Sequence, residues 1–228
     1  MPLNSEKHLK NHRSGDRKTG VDYRLYLVTD SNMTGRKQLV DYVLKAADGG
    51  VTIVQYREKS GSTAQMIREA ESLLHELAKR NIPLLINDRV DIALAVGAAG
   101  VHLGQNDMDP VTARRLLGPD AIIGYSVETF EQAREAMELD VDYLGVSPVF
   151  STPTKTDIGN PWEIDGLKEL RSFTSKPLVA IGGLNRDTIP HTLAAGADGV
   201  AVVSAICNSD NPEASALELR DIISRATP

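Results

Sequence analysis

The chain has 228 residues, 41% of them hydrophobic, and a formal net charge of −6. That is enough apolar material for one large soluble domain, and the acidic balance argues against a general nucleic-acid surface while leaving room for a local basic pocket. Its single cysteine, Cys207, allows neither an internal disulfide nor a cysteine-rich metal site, so a reducing compartment such as the cytoplasm is expected. No apolar run approaches the roughly 20 residues of a membrane span.

Residues 1–22 read as a disordered tail, because Lys7, Lys10, Arg13, Arg17 and Lys18 outnumber Glu6 and Asp16 and almost nothing apolar lies between them. The tail also lacks the apolar core of a secretory signal. From residue 23 onward, short β-rich runs alternate with helical patterns, and residues 23–228 read as one catalytic domain. The first strand covers 24–29, and Leu39, Val40, Val43, Leu44 and Ala47 recur behind it at helical spacing. A second strand at 52–55 leads to a helix over 62–80, opened by Ser62 with Gln65 at capping-box distance. The third strand spans 83–86, a short helix 91–96, and the fourth strand 101–103, entered through the glycines of 97–100.

Asp109 and Pro110 have the order of an N-cap and first-turn proline, and Gly118 closes that helix before a fifth strand at 122–124. Thr129 caps the next helix, with Gln132 three residues on, and the sixth strand is 143–146. Helices at 162–173, 188–195 and 212–225 then alternate with strands at 178–181 and 199–202. Three junctions share one phrase, ADGGV at 47–51, GAAGV at 97–101 and GADGV at 196–200, each joining a helix to a strand. About eight βα units in one domain predict a closed parallel (β/α)8 TIM barrel, since parallel strands need crossover helices and eight strands close without an edge. A doubly wound open sheet is the alternative, but no G-x-G-x-x-G follows the first strand.

The reactive rim of such a barrel lies at the strand C-termini. Polar residues gather there. Gln55, Arg57 and Lys59 follow the second strand, Asn87 and Asp88 the third, Asp107 the fourth, and Ser126 the fifth. The loop GVSPVFSTPTK at 145–155 carries Thr152, Thr154 and Lys155 after the sixth, where Pro153 restrains the backbone and the hydroxyls and ammonium suit an anion, or else form a plain surface turn. Asp88 and Asp107 follow adjacent strands, so either their carboxylates converge on a hard cation such as Mg2+ or each caps a helix. Arg57, Lys59 and Lys155 add positive charge fit for phosphate. Gly182 and Gly183 after the seventh strand, with Val203 and Ser204 after the eighth, occupy the usual barrel phosphate site. His102 reads as a satisfied interior histidine and Cys207 as structural.

Seven motifs carry a resemblance: YLVTD at 26–30, QYREK at 55–59, LIND at 85–88, GVHLGQND at 100–107, GVSPVF at 145–150, TPTK at 152–155 and AIGG at 180–183. Their order and spacing, over about residues 23–206, resemble the thiamine phosphate synthase family. The resemblance implies that hydroxymethylpyrimidine diphosphate and thiazole phosphate are joined to give thiamine phosphate and diphosphate. It further implies that Gln55, Arg57, Lys59, Asn87, Ser126 and Lys155 hold the pyrimidine diphosphate, that Asp88 and Asp107 hold Mg2+, and that Thr152, Thr154, Gly183, Val203 and Ser204 hold the thiazole phosphate. Two places depart from the family's pattern: Tyr56 stands where an aliphatic residue is expected, and DIGNP at 157–161 makes the loop after Lys155 unusual. A related thiazole tautomerase and a non-catalytic phosphometabolite-binding barrel are the alternatives. The expected partners are two small phosphorylated substrates, with no nucleic acid or membrane, and the oligomeric state stays open.

Overall fold

A computed structural model describes residues 20–30, 39–151 and 160–226. The expected tail lies outside the described residues as far as residue 19, and so do Thr152, Thr154 and Lys155. Eight strands are present: β1 (Leu25–Val28), β2 (Ile53–Tyr56), β3 (Leu84–Asn87), β4 (Gly100–Leu103), β5 (Ile122–Val127), β6 (Tyr143–Val146), β7 (Leu178–Ile181) and β8 (Gly199–Val202). Each pairs in parallel with its sequence neighbours, and β8 returns to β1, so the sheet closes as the expected barrel.

Between the strands run α1 (Leu39–Asp48), α2 (Thr63–Ala78), α3 (Val90–Val96), α4 (Pro110–Leu117), α5 (Phe130–Met137), α6 (Glu163–Phe173), α7 (Ile189–Ala194), α8 (Ser204–Cys207) and α9 (Pro212–Ala226). Local chemistry opens and closes them. Ser62, Asp109 and Thr129 accept from the backbone N–H groups of Gln65, Thr112 and Gln132, the three caps expected from their spacing. Gly97 ends α3 in the left-handed region at φ 69°. Asp88 and Asp107 cap nothing: α3 starts from Arg89 without a side-chain cap, and α4 uses Asp109.

Two apolar layers hold the barrel. The outer one lies between sheet and helices, where α2 contributes Met66, Ala70, Leu73 and Leu77, a stripe at helical spacing. Truncating such a fully buried leucine to alanine costs about 2–5 kcal/mol. The inner layer is built from alternate strand residues, among them Tyr26, Ile53, Leu85, Ile122, Tyr143, Val179 and Ala201. Val21 and Tyr23 close its floor. Tyr56 points outward into the outer layer, where its phenol donates to Glu69 Oε2 at 2.5 Å, which accommodates a tyrosine at an aliphatic position.

Strand ends differ from the sequence reading in one way that matters. β3 and β5 run further than expected, so Asn87 and Ser126 belong to strands rather than to loops, while Gln55 lies within β2, which ends one residue later than expected. All three line the cavity inside the barrel.

Candidate active site

The carboxyl ends of the strands surround a cavity of about 570 Å3. Gln55, Arg57, Lys59, Asn87, Asp88, Asp107, Ser126, Gly183, Val203 and Ser204 all line it. Every expected ligand among the described residues is therefore brought to one cavity.

On the β2–β4 side the site is charged. Glu58 is buried and its Oε1 accepts from Ser60 N at 2.6 Å, Ser60 Oγ at 2.9 Å and Gly61 N at 3.0 Å, folding the turn that carries Lys59. Lys59 Nζ then donates to Asp88 Oδ2 at 2.5 Å. Arg57 is anchored at both ends: its N–H donates to Thr29 Oγ1 at 2.9 Å, and its guanidinium reaches Asp30 Oδ2 at 3.4 Å.

Asp88 occupies the left-handed region at φ 61°, a conformation that aspartate tolerates better than branched residues. Its N–H is tied to the His102 carbonyl at 2.9 Å, and Asp107 Oδ2 accepts from Gly104 N at 2.7 Å. Burial and the adjacent Asp88 carboxylate raise Asp107 above its ordinary range. For Asp88 burial is the largest influence and acts in the same upward direction, but the Lys59 ammonium, the hydrogen bond with Asp107 and the His102 ring together turn the net shift down. Two carboxylates this close repel, and a divalent cation relieves that repulsion, so the oxygen donors suit a hard ion such as Mg2+.

Deeper in the barrel, five side chains form one chain of hydrogen bonds. Gln55 Nε2 donates to Tyr26 Oη at 3.0 Å, and the Tyr26 and Tyr143 hydroxyls lie 2.9 Å apart. The Tyr143 hydroxyl is 2.8 Å from His102 Nδ1, and His102 Nε2 is 2.8 Å from Ser126 Oγ. Glycines make the room: a Cβ on Gly124 would lie 2.1 Å from the Tyr143 ring, and one on Gly145 would lie 2.7 Å from His102 Cε1. His102 is the satisfied interior histidine that its alternation predicts. Sequence reasoning missed Tyr26 and Tyr143. Their only signal is a polar-tipped ring at an inward strand position, which reads as ordinary core.

Among the described residues, the β7–β8 side of the cavity carries no charge. Gly182 and Gly183 have φ of 100° and 67°, and a Cβ on Gly183 would meet Phe150 Cβ at 2.7 Å, so backbone alone lines that turn. Beside it α8 begins at Ser204, a short helix directly after β8.

Residues 25–206 match the family model described as thiamine monophosphate synthase. The chain belongs to that family. It is similar to the thiamine-phosphate synthase of Albidiferax ferrireducens, 54% identical over 200 residues that cover 88% of this chain and 91% of that one. The thiamine-phosphate synthase of Vibrio campbellii is 51% identical over 193 residues, covering 85% and 94%. Among solved structures, thiamine phosphate pyrophosphorylase from Pyrococcus furiosus superposes with a TM-score of 0.83 at 35% identity, over 91% of this chain and 98% of that one. A 3-hexulose-6-phosphate synthase, 19% identical with a TM-score of 0.66 over 87% and 99%, shares the fold alone. The activity is that of thiamine-phosphate synthase, a transferase of thiamine biosynthesis on a single-domain TIM barrel.

Proposed function

We propose that the chain joins hydroxymethylpyrimidine diphosphate to thiazole phosphate in an Mg2+-dependent reaction that releases diphosphate. One observation carries this reading: a single cavity has paired carboxylates with cations at one side and a bare glycine turn beside a helix start at the other. Asp88 and Asp107 would hold Mg2+, which when bound supplies positive charge against the departing diphosphate. Arg57 and Lys59 bind that diphosphate, and Gln55, Asn87 and Ser126 seat the pyrimidine. Gly183, Val203 and Ser204 receive the thiazole phosphate through backbone N–H groups and a hydroxyl. Thr152, Thr154 and Lys155 complete the two sets by motif.

In this reading the carbon–oxygen bond to diphosphate breaks first, and diphosphate keeps the electron pair. The thiazole nitrogen then gives its lone pair to the pyrimidine-stabilised cation, so the carbon–nitrogen bond forms without a protein nucleophile. Displacement of water from the cavity by the two substrates themselves protects that cation. A lone buried thiol fits a reducing compartment, the cytoplasm in this reading. No helix among the described residues is long and apolar enough to cross a membrane.

The test mixes purified protein with both substrates, with and without Mg2+, and follows thiamine phosphate and diphosphate by chromatography. Both products, formed only with Mg2+, are expected. Equal formation without divalent metal would remove the roles given to Asp88 and Asp107, and no product from folded protein would remove the reaction.

A further inference from the structure

The five-member hydrogen-bond chain has a direction, and it is set by its first link. Gln55 Nε2 can only donate, so the Tyr26 oxygen accepts from it. Tyr26 is 1% exposed, and Tyr143 Oη is the partner available to its own proton. Tyr143 in turn passes its proton toward His102 Nδ1. An imidazole that accepts at Nδ1 carries its proton on Nε2, which is then the donor to Ser126 Oγ. The reverse order would bring two donors onto the Tyr26 oxygen and strand a buried hydroxyl proton, which is costly. Burial holds both phenols above their ordinary range, so both keep their protons at neutral pH.

Ser126 Oγ therefore receives a hydrogen bond from below, and its own proton is left for the cavity that it lines. The Ser126 backbone is pinned as well, since Gln105 Nε2 donates to its carbonyl at 2.6 Å. We propose that Tyr143 is a positioning residue which, by locking His102 in the Nε2–H tautomer, makes Ser126 an obligatory hydrogen-bond donor to an acceptor nitrogen of the pyrimidine ring. This rests on the reading that the pyrimidine sits beside Ser126. It assigns to a buried tyrosine in the wall of that cavity a part in choosing a ring with an acceptor at that position over one bearing a donor or a C–H.

Two measurements on the full chain test it. Nitrogen-15 NMR of the wild-type protein, with His102 assigned by loss of its signals in His102→Asn, should show His102 protonated on Nε2 alone; protonation on Nδ1 would overturn the proposal without any variant having to fold. Steady-state kinetics should show that Tyr143→Phe raises KM for pyrimidine diphosphate about tenfold while KM for thiazole phosphate stays within about twofold, the effect of one misdirected neutral hydrogen bond. In a Ser126→Ala background the same substitution should add nothing, because it acts through Ser126. An equal penalty in both backgrounds, or on both substrates, would make Tyr143 structural. Should the wild type make no thiamine phosphate, the reaction falls while the tautomer measurement still decides the direction of the chain.

Discussion

Lys59 Nζ lies 2.5 Å from Asp88 Oδ2, so an ammonium assigned to diphosphate neutralises a carboxylate assigned to the metal. The lysine side chain is 58% exposed, and such pairs are worth only about 0.2–1 kcal/mol, which makes the partners exchangeable. A cation arriving at Asp88 releases Lys59 for phosphate oxygens. Mg2+ and diphosphate should therefore bind cooperatively, with diphosphate affinity rising about tenfold or more when Mg2+ is present. Calorimetric titrations with and without Mg2+ measure this, and equal affinities would mean that the pair does not exchange.

Asp88→Asn and Asp107→Asn should each lower kcat by about 100-fold or more, the scale of losing an electrostatic contact to a leaving group. Asparagine is the informative replacement because it tolerates the φ of 61° at position 88. Melting temperatures should stay close to wild type, since neither side chain belongs to the apolar layers. Unchanged turnover in either variant would remove that carboxylate from the metal site.

The two interior glycines should differ in their tolerance of a methyl group. At Gly145 the new Cβ would lie 2.7 Å from the edge of the His102 ring, which can tilt at a cost of about 1–3 kcal/mol. Gly145→Ala is expected to fold and to lose activity through displacement of His102 from Ser126. At Gly124 the Cβ would enter the Tyr143 ring at 2.1–2.4 Å, with Tyr143 wholly buried, so Gly124→Ala should fail to accumulate as folded protein. Thermal melts and expression yield compare them, and the reverse ranking would mean that the barrel relaxes around Tyr143.

Cys207 should be inert. It is buried, and burial pushes its thiol up to about 12, so almost no thiolate is present at neutral pH. Incubation with a thiol alkylating reagent should leave native activity unchanged and label the protein only after denaturation. Rapid labelling of the native enzyme would show that the α8 segment opens.

Alkaline pH should unfold the protein steeply. Burial raises Tyr23, Tyr26 and Tyr143 above the ordinary phenol value of 10.0. Below that value both states are protonated and the stability is intact. As pH rises past it, the unfolded chain loses protons that the folded chain keeps, so stability falls by about 1.4 kcal/mol per pH unit for each such phenol. Denaturant melts across this range give the slope. Tyr26→Phe should reduce it by one proton, and an unaltered slope would mean that Tyr26 ionises in the native barrel.

The alternation of strands and helices, the caps at Ser62, Asp109 and Thr129, and the charged rim were all legible in the linear order of residues. Each of these depends on side chains within a few positions of one another, where backbone preference and hydrogen-bond reach are local. The placement of Asn87 and Ser126 after their strands missed by a residue or more, because a strand end is decided by whether a neighbour is there to pair with, not by propensity. The expectation that Asp88 and Asp107 share a mouth needed only the assumption that consecutive strands are adjacent in a closed sheet.

The chain from Gln55 to Ser126 belongs to the tertiary structure. Tyr26 and Tyr143 are 117 residues apart in sequence and 2.9 Å apart at their hydroxyls. Nothing in either strand separates such a tyrosine from an ordinary core ring. What the sequence by itself determined is the repeated βα unit and the polar residues at its carboxyl end, since period and capping are properties of short segments. Barrel closure and register alone decided which inward side chains meet across the axis, because that depends on how eight strands stagger together and on the space left by Gly124 and Gly145.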